Sequence, residues 1–290
     1  MPFSVRASLD QFTLAHPSGD GHLTISVAAP VVESPGGRVP VLYVVDGDVA
    51  FGLAAEIARV LTSVAAFPAF YVVGIGYDAA YAAFLKLRTA DLSPPIRAEA
   101  LTELGALGDA IGGERNGGAD AFLAFLAETL RPEIAARYPQ TAGGDRILFG
   151  HSLGGLFAAN ALLTRPDAFA AFLISSPSLW WDDFSLFQKL AAFRERLAAL
   201  PSQPRVFVDV GGKEQDLPTS VPDGLGVTLE EAQTQIRAAR MVDATREFAD
   251  ALRNAGVADL RHIAFAEEDH ISVASTAILH GMRFALGRER

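Results

Sequence analysis

The stretch Asp145-Arg-Ile-Leu-Phe-Gly-His-Ser-Leu-Gly-Gly-Leu-Phe-Ala-Ala-Asn-Ala-Leu-Leu163 decides how the rest of the chain is read. Ile147, Leu148 and Phe149 make a short apolar run, Gly150-His-Ser-Leu-Gly154 is a turn, and small and apolar residues from Leu153 onward make a helix. A strand, a G-x-S-x-G turn and a helix in that order form a nucleophile elbow, with the serine in strained backbone geometry and its hydroxyl above the sheet edge. Glycines two residues before and two after Ser152 remove side chains that would collide there. The helix directs its N-terminal N–H groups, and the positive end of its dipole, at the place where negative charge develops in acyl transfer. Ser152 is the candidate nucleophile.

Working outward, residues 39–45 and 71–75 are continuous apolar runs, the pattern of strands buried on both faces. Further strands are read at 171–175, 205–210 and 260–265. Helical spacing occupies 51–64, 119–138, 184–200 and 273–286, with Pro132 expected to kink or divide the second of these. Another helix starts after Thr228, an N-cap with Glu231 three residues on, and runs to about Asn254. Residues 11–29 alternate and read as an antiparallel hairpin turning at 17–21. Residues 79–118 show no clear period and are read as a loop or insert bordering the site.

This alternation predicts one α/β domain over residues 1–290, with a mostly parallel central sheet, an N-terminal antiparallel hairpin and helices on both faces. Ligands of such sheets bind beyond the carboxyl ends of the strands. The segments 46–48, 77–94, 150–154, 176–182, 211–216 and 266–270 all follow strands and so converge on one rim.

A chain of 290 residues, half of them hydrophobic, can bury a large core. Its net charge of −10 disfavours sequence-independent binding to nucleic acid or to an anionic membrane. Cysteine is absent, which excludes disulfides, thiolate catalysis and Cys-ligated zinc. The first ten residues have no basic segment followed by an apolar run, so they are not read as a signal peptide. No stretch approaches the roughly 20 apolar residues that span a bilayer. The expected location is cytoplasmic.

A serine hydroxyl needs a base within hydrogen-bond reach. Of the six histidines, His16 and His22 flank an early turn, His151 is inside the elbow, His262 lies in a strand and His280 in a helix. His270 follows the last strand, where the order Ser…acid…His places the base. The acid that orients it is expected after strand 205–210, which offers Glu214 and Asp216. Glu214 is nearer the strand end and is preferred, with a Ser–His dyad as the alternative. Two backbone N–H groups should form the oxyanion hole: Leu153, and Asp48 or Gly47 in the Asp46-Gly-Asp48 segment. Arg88 is a candidate anchor for a substrate carboxylate, catecholate or phosphate, or else a solvated surface arginine. Trp180 and Trp181 are adjacent on an extended segment and face opposite ways, one toward a pocket and one into packing. This chemistry requires no metal and no cofactor.

The segments Leu42-Tyr-Val-Val-Asp-Gly-Asp48, Val72-Val-Gly-Ile-Gly-Tyr77 and Arg88-x-x-Asp91-Leu-Ser-Pro94 carry a family resemblance, as do Gly150-His-Ser-Leu-Gly-Gly155, Ser175-Ser-Pro-Ser-Leu-Trp-Trp181 and Glu268-Asp-His-x-Ser272. Over its whole length the chain resembles the esterase branch of the α/β-hydrolases, which includes the esterase D type and the siderophore trilactone esterases. It is most similar to the enterobactin, salmochelin and bacillibactin hydrolases. The resemblance implies an α/β-hydrolase fold and a serine esterase with Ser152 as nucleophile and His270 as base. It also implies that Arg88, in the family's R-x-x-D-[YL]-[TS]-P segment, helps hold a siderophore. The expected partner is a small-molecule ester such as a ferric siderophore. Because ferric tris-catecholates are anionic and the chain is acidic, local positive charge would have to hold them. Small-ester carboxylesterase or acyltransferase activity, and a catalytically silent binding protein on the same fold, are the alternatives.

Overall fold

The apolar runs assemble into one sheet. The structure, a computed structural model, describes residues 9–19, 21–32, 37–63, 67–112, 115–221 and 227–287; the first eight residues and parts of the 30–37 and 217–227 loops lie outside the described residues. Among those described, the strands are β1 (Leu9–Ala15), β2 (His22–Ala28), β3 (Val41–Val44), β4 (Tyr71–Gly76), β5 (Arg146–His151), β6 (Ala171–Ser175), β7 (Arg205–Gly211) and β8 (Leu260–Phe265). They lie in the order β1-β2-β4-β3-β5-β6-β7-β8. The first two pairs are antiparallel, and the sheet from β4 through β8 is parallel. This is the mostly parallel sheet with an antiparallel N-terminal hairpin that the alternation of elements predicts.

The helices are α1 (Gly47–Ser63), α2 (Tyr81–Leu92), α3 (Ala98–Glu103), α4 (Ala106–Ile111), α5 (Ala119–Phe125), α6 (Arg131–Arg137), α7 (Leu153–Thr164), α8 (Leu190–Ala198), α9 (Leu229–Ala239), α10 (Met241–Ala255) and α11 (Val273–Leu286). Successive strand residues point to opposite faces, so each continuous apolar run feeds two cores. Tyr43, Leu148, Phe172 and Val208 join one cluster, which α5, α7, α8 and α10 cover with Phe122, Phe157, Phe193 and Phe248. Leu42, Phe149, Leu173 and Phe207 join the other, covered by α1 and α11 through Ala54, Ile278 and Met282. Each large side chain fully removed from water contributes about 1.5–3 kcal/mol. No helix among the described residues is long and apolar enough to cross a membrane.

Two elements differ from the sequence reading, and the 119–138 helix divides near Pro132 as expected. Residues 79–118 hold the helices α2, α3 and α4 in place of a loop. The turn of α2 at 89–92 buries Thr89 and Asp91 beside Ala90 and Leu92, so its inward face is partly polar and shows no apolar period. His16 Nε2 lies 2.6 Å from the buried Asp91 Oδ2, tying the first hairpin to this helix. The 119–138 helix is interrupted by a π-helical segment, Leu126–Leu130, ahead of Pro132 near the start of α6. Proline has no N–H for the ladder, and the altered hydrogen-bond register accommodates that loss. The helix predicted to run on from Thr228 divides at Arg240, which sits at φ 48° and ψ 38°. The left-handed residue turns α9, which buries no side chain, away from α10, which packs on β7 and β8.

Candidate active site

The elbow is built by backbone crowding. Ser152, between β5 and α7, has φ 62° and ψ −120°, well outside the regions an ordinary L-residue prefers. A Cβ on Gly150 would lie 1.9 Å from the Gly154 carbonyl oxygen, and one on Gly155 would lie 2.4 Å from the Ser175 carbonyl oxygen. Only glycine fits either position. Ser152 N–H donates to the Ser175 carbonyl at 3.1 Å and Ser178 N–H donates to the Ser152 carbonyl at 3.1 Å, which clamps the strained residue to the end of β6.

His270 and Glu214 reach Ser152 from the loops that follow β8 and β7. His270 Nε2 is 3.0 Å from Ser152 Oγ. His270 Nδ1 is 2.7 Å from Glu214 Oε2. The Glu214 carboxylate is buried. Its other oxygen accepts from Gly211 N–H at 2.7 Å and from the Ser176 hydroxyl. With Oε1 satisfied by two donors, Oε2 is fixed toward the imidazole. Asp216 is exposed on the cavity wall, while the Nδ1 position of His270 is taken by Glu214.

A cavity of about 930 Å³ opens over this relay. Ser152 and His270 lie in its wall with Trp180, Phe184 and Met241. Ile96, Ala100 and Leu104 from the α3 region face Ile236 and Ala239 of α9. Segment 79–118 and the lower part of the divided 229–255 helix therefore both contribute walls.

The other predicted residues are placed as follows. Trp180 lines the cavity, whereas Trp181 is 1% exposed and its indole N–H donates to the Pro94 carbonyl at 2.9 Å. Of the adjacent pair, then, Trp180 faces the cavity and Trp181 packs beneath the wall. Arg88 does not line the cavity among the described residues. Its Nε donates to Asp46 Oδ1 at 2.7 Å and its Nη2 to Asp46 Oδ2 at 2.5 Å, with side chains 12% and 10% exposed. A guanidinium held bidentately in a mostly buried pair has its fork committed to that carboxylate. Asp48 is the second residue of α1, and its carboxylate accepts from Tyr77 N–H at 2.7 Å and Asp78 N–H at 3.0 Å, joining α1 to the end of β4. The N–H groups of Gly47, Asp48 and Leu153 belong to first helical turns and have no intrahelical acceptor. Those two helices leave the neighbouring strands β3 and β5.

A second layer of polar groups lies under the relay, with no signal in the sequence beyond residue type. The His151 ring lies 4.8 Å from the His270 ring, centroid to centroid. Its Nδ1 is 3.2 Å from Ser175 Oγ, which in turn donates to the buried Asp209 Oδ1 at 2.9 Å. Burial, reinforced by His270, lowers the His151 pKa to about 3, so it stays neutral at ordinary pH. Burial, together with the nearby Glu214 charge, holds the Asp209 carboxyl well above the usual carboxylate range. Ser176, which with the local Gly211 N–H fixes Glu214, likewise has no sequence signal, since it lies 38 positions from Glu214, past the end of the neighbouring strand β6.

Comparison with known proteins matches the chain to one family. A family model described as "Putative esterase" matches residues 18–255. The siderophore triacetylfusarinine C esterase of Aspergillus fumigatus is 32% identical over 283 residues, covering 94% of this chain and 91% of that protein. The ferri-bacillibactin esterase BesA of Bacillus subtilis is 31% identical over 269 residues, covering 90% of this chain and 84% of that protein. The solved structure of the siderophore hydrolase EstA from Aspergillus nidulans superposes with a TM-score of 0.81 at 29% identity, covering 96% of this chain and 94% of that one.

Proposed function

The chain belongs to this esterase family, and from that premise we propose that it is a serine carboxylic-ester hydrolase that cleaves a siderophore ester through an acyl-enzyme. The observation that carries the reading is the Glu214–His270–Ser152 hydrogen-bonded relay opening on the large cavity. Ser152 Oγ attacks the ester carbonyl carbon as its proton passes to His270 Nε2. Glu214 balances the imidazolium that forms and holds its ring in place. The oxyanion rests on Leu153 N–H and on Asp48 or Gly47 N–H, each such donor contributing about 3–4 kcal/mol to the transition state. The intermediate then collapses, the carbonyl re-forms, and the alkoxide leaves with the proton from His270. Water, deprotonated by the same imidazole, attacks the acyl carbon and releases Ser152.

The names of the relatives support a siderophore ester as substrate, and a cavity of about 930 Å³ is large enough for one. The test is hydrolysis of ferric siderophore triesters and of short p-nitrophenyl esters, followed by product analysis. The expected result is stepwise release of linear hydroxy acids, lost in Ser152→Ala. Hydrolysis of p-nitrophenyl esters alone would leave a general esterase. Glu214→Gln is expected to lower kcat by about 10³- to 10⁴-fold. An equal rate for that variant would return the reading to a Ser–His dyad.

A further inference from the structure

Charge is distributed unevenly around the cavity mouth. Besides Glu214, its wall carries the carboxylates Glu103, Asp182, Asp183, Asp216 and Asp269, against the cations Arg97 and Lys213. Both cations are already engaged. Arg97 Nε donates to Asp182 Oδ1 at 2.8 Å. Lys213 Nζ lies 2.8 Å from Glu267 Oε2. The Asp269 carboxylate accepts from Ile271 and Ser272 N–H groups and is turned into its own loop. Glu103, Asp183 and Asp216 are exposed and come from three separate segments, α3, the turn after β6 and the loop after β7.

The turn that presents Asp183 is strained. Asp182, Asp183 and Phe184 have φ of 49°, 53° and 58°, three successive non-glycine residues in the left-handed region. Such conformations persist only where the surroundings over-determine them. Here Asp182 is locked against both the N–H and the Nε of Arg97, and Phe184 and Asp183 stand in the cavity wall. An acidic surface is ordinary for a chain of charge −10. An acidic ring around a concave site, with its two cations neutralised, has a specific consequence: a cleft of one sign focuses the field and changes the local concentration of charged substrates. The two cations of the described wall are outnumbered by its six carboxylates, and each is already ion-paired. Two further cations near the site are also paired: Arg88 with Asp46, and Arg240, whose guanidinium lies over the Phe184 ring, with Glu247.

We propose that Glu103, Asp183 and Asp216 form a charge filter, so that the site accepts neutral or cationic esters and rejects polyanionic ones. The proposal rests on the serine-esterase reading above. Among ferric siderophores it favours tris-hydroxamate complexes, in which three monoanionic ligands neutralise Fe(III). It disfavours tris-catecholate complexes, whose three dianionic ligands leave a triply negative ion.

The test compares kcat/KM for p-nitrophenyl esters sharing one acyl chain: hexanoate, 6-(trimethylammonio)hexanoate and the adipate monoester. At low ionic strength the adipate monoester is expected to be at least about tenfold poorer than hexanoate, with the cationic ester equal to hexanoate or better. Near 0.5 M salt, where the Debye length falls to a few ångströms, the differences are expected to collapse. In Glu103→Gln/Asp183→Asn the adipate-to-hexanoate ratio is expected to rise severalfold. An adipate monoester cleaved as well as hexanoate, or a ratio that neither salt nor the double variant moves, overturns the filter. Charge-blind hydrolysis that still requires Ser152 overturns the filter alone. Hydrolysis of none of the three, or undiminished hydrolysis in Ser152→Ala, overturns the esterase reading as well.

Discussion

Arg88 separates what a residue can do from what its surroundings let it do. Its sequence context suggests an anion anchor, and its guanidinium does hold an anion, the Asp46 carboxylate of the same chain. The partner lies 42 positions away, so nothing local to Arg88 reveals the pairing. Breaking a mostly buried pair by removing one member leaves an uncompensated charge, at a cost of about 3–5 kcal/mol. Arg88→Ala is therefore expected to lower the urea midpoint sharply; unchanged stability with a raised KM would instead make Arg88 a substrate ligand. His151 makes a pH-dependent contribution. Its pKa is about 3 in the fold, against about 6.5 for an unperturbed histidine, so between those values the unfolded chain binds the extra proton. The sign is then fixed: the group costs nothing above pH ~6.5, and stability falls as pH drops through the window, at up to about 1.4 kcal/mol per pH unit. His151→Gln is expected to flatten that slope in denaturant titrations from pH 7 to pH 4; an unchanged slope would assign the acid sensitivity to other groups.

At the scale of elements, legibility followed the simplicity of each burial pattern. Strands β3 to β7 are apolar on both faces, and the elbow is defined by contacts between residues a few positions apart, so both could be read directly. Helix α2 could not, because it buries Thr89 and Asp91. Helices α3 and α4 are six residues each, too short to display a period. The division at Arg240 has no sequence mark, since the left-handed residue there is not glycine. Helix α9 is held chiefly at its start: Thr228 Oγ1 accepts from Glu231 N–H at 3.2 Å, while Thr228 N–H donates to the Glu231 carboxylate at 2.7 Å. Losing such a cap costs about 1 kcal/mol, and a helix that buries no side chain has little to offset it. Thr228→Ala is expected to speed amide exchange across 229–239 while leaving the global melting temperature within about 1 °C, because the roughly 1 kcal/mol lost with the cap falls on a local opening of α9 and not on unfolding of the core. A global drop in melting temperature would mean that α9 unfolds with the core and does not open separately over the cavity.

For the whole molecule, the sheet order brings the ends of β5, β7 and β8 to one rim, and with them Ser152, Glu214 and His270. In the sequence Ser152 is marked by the elbow motif and His270 by chain order, because the fold fixes which loop the base occupies. The acid was narrowed to two residues and separated only by geometry: Glu214 is buried and oriented by Ser176 and Gly211, whereas Asp216 is exposed on the cavity wall. The charge of the cavity was beyond sequence reading, since the net −10 of the chain does not say which carboxylates ring the site or which cations are already paired. The account turns on whether Ser152 becomes covalently acylated. The direct measurement is intact and peptide mass spectrometry of enzyme quenched in acid during turnover of a slow ester. The account predicts an acyl adduct on the peptide containing Ser152 that forms before product and disappears in Ser152→Ala together with activity. No adduct, combined with undiminished hydrolysis by Ser152→Ala, would contradict it.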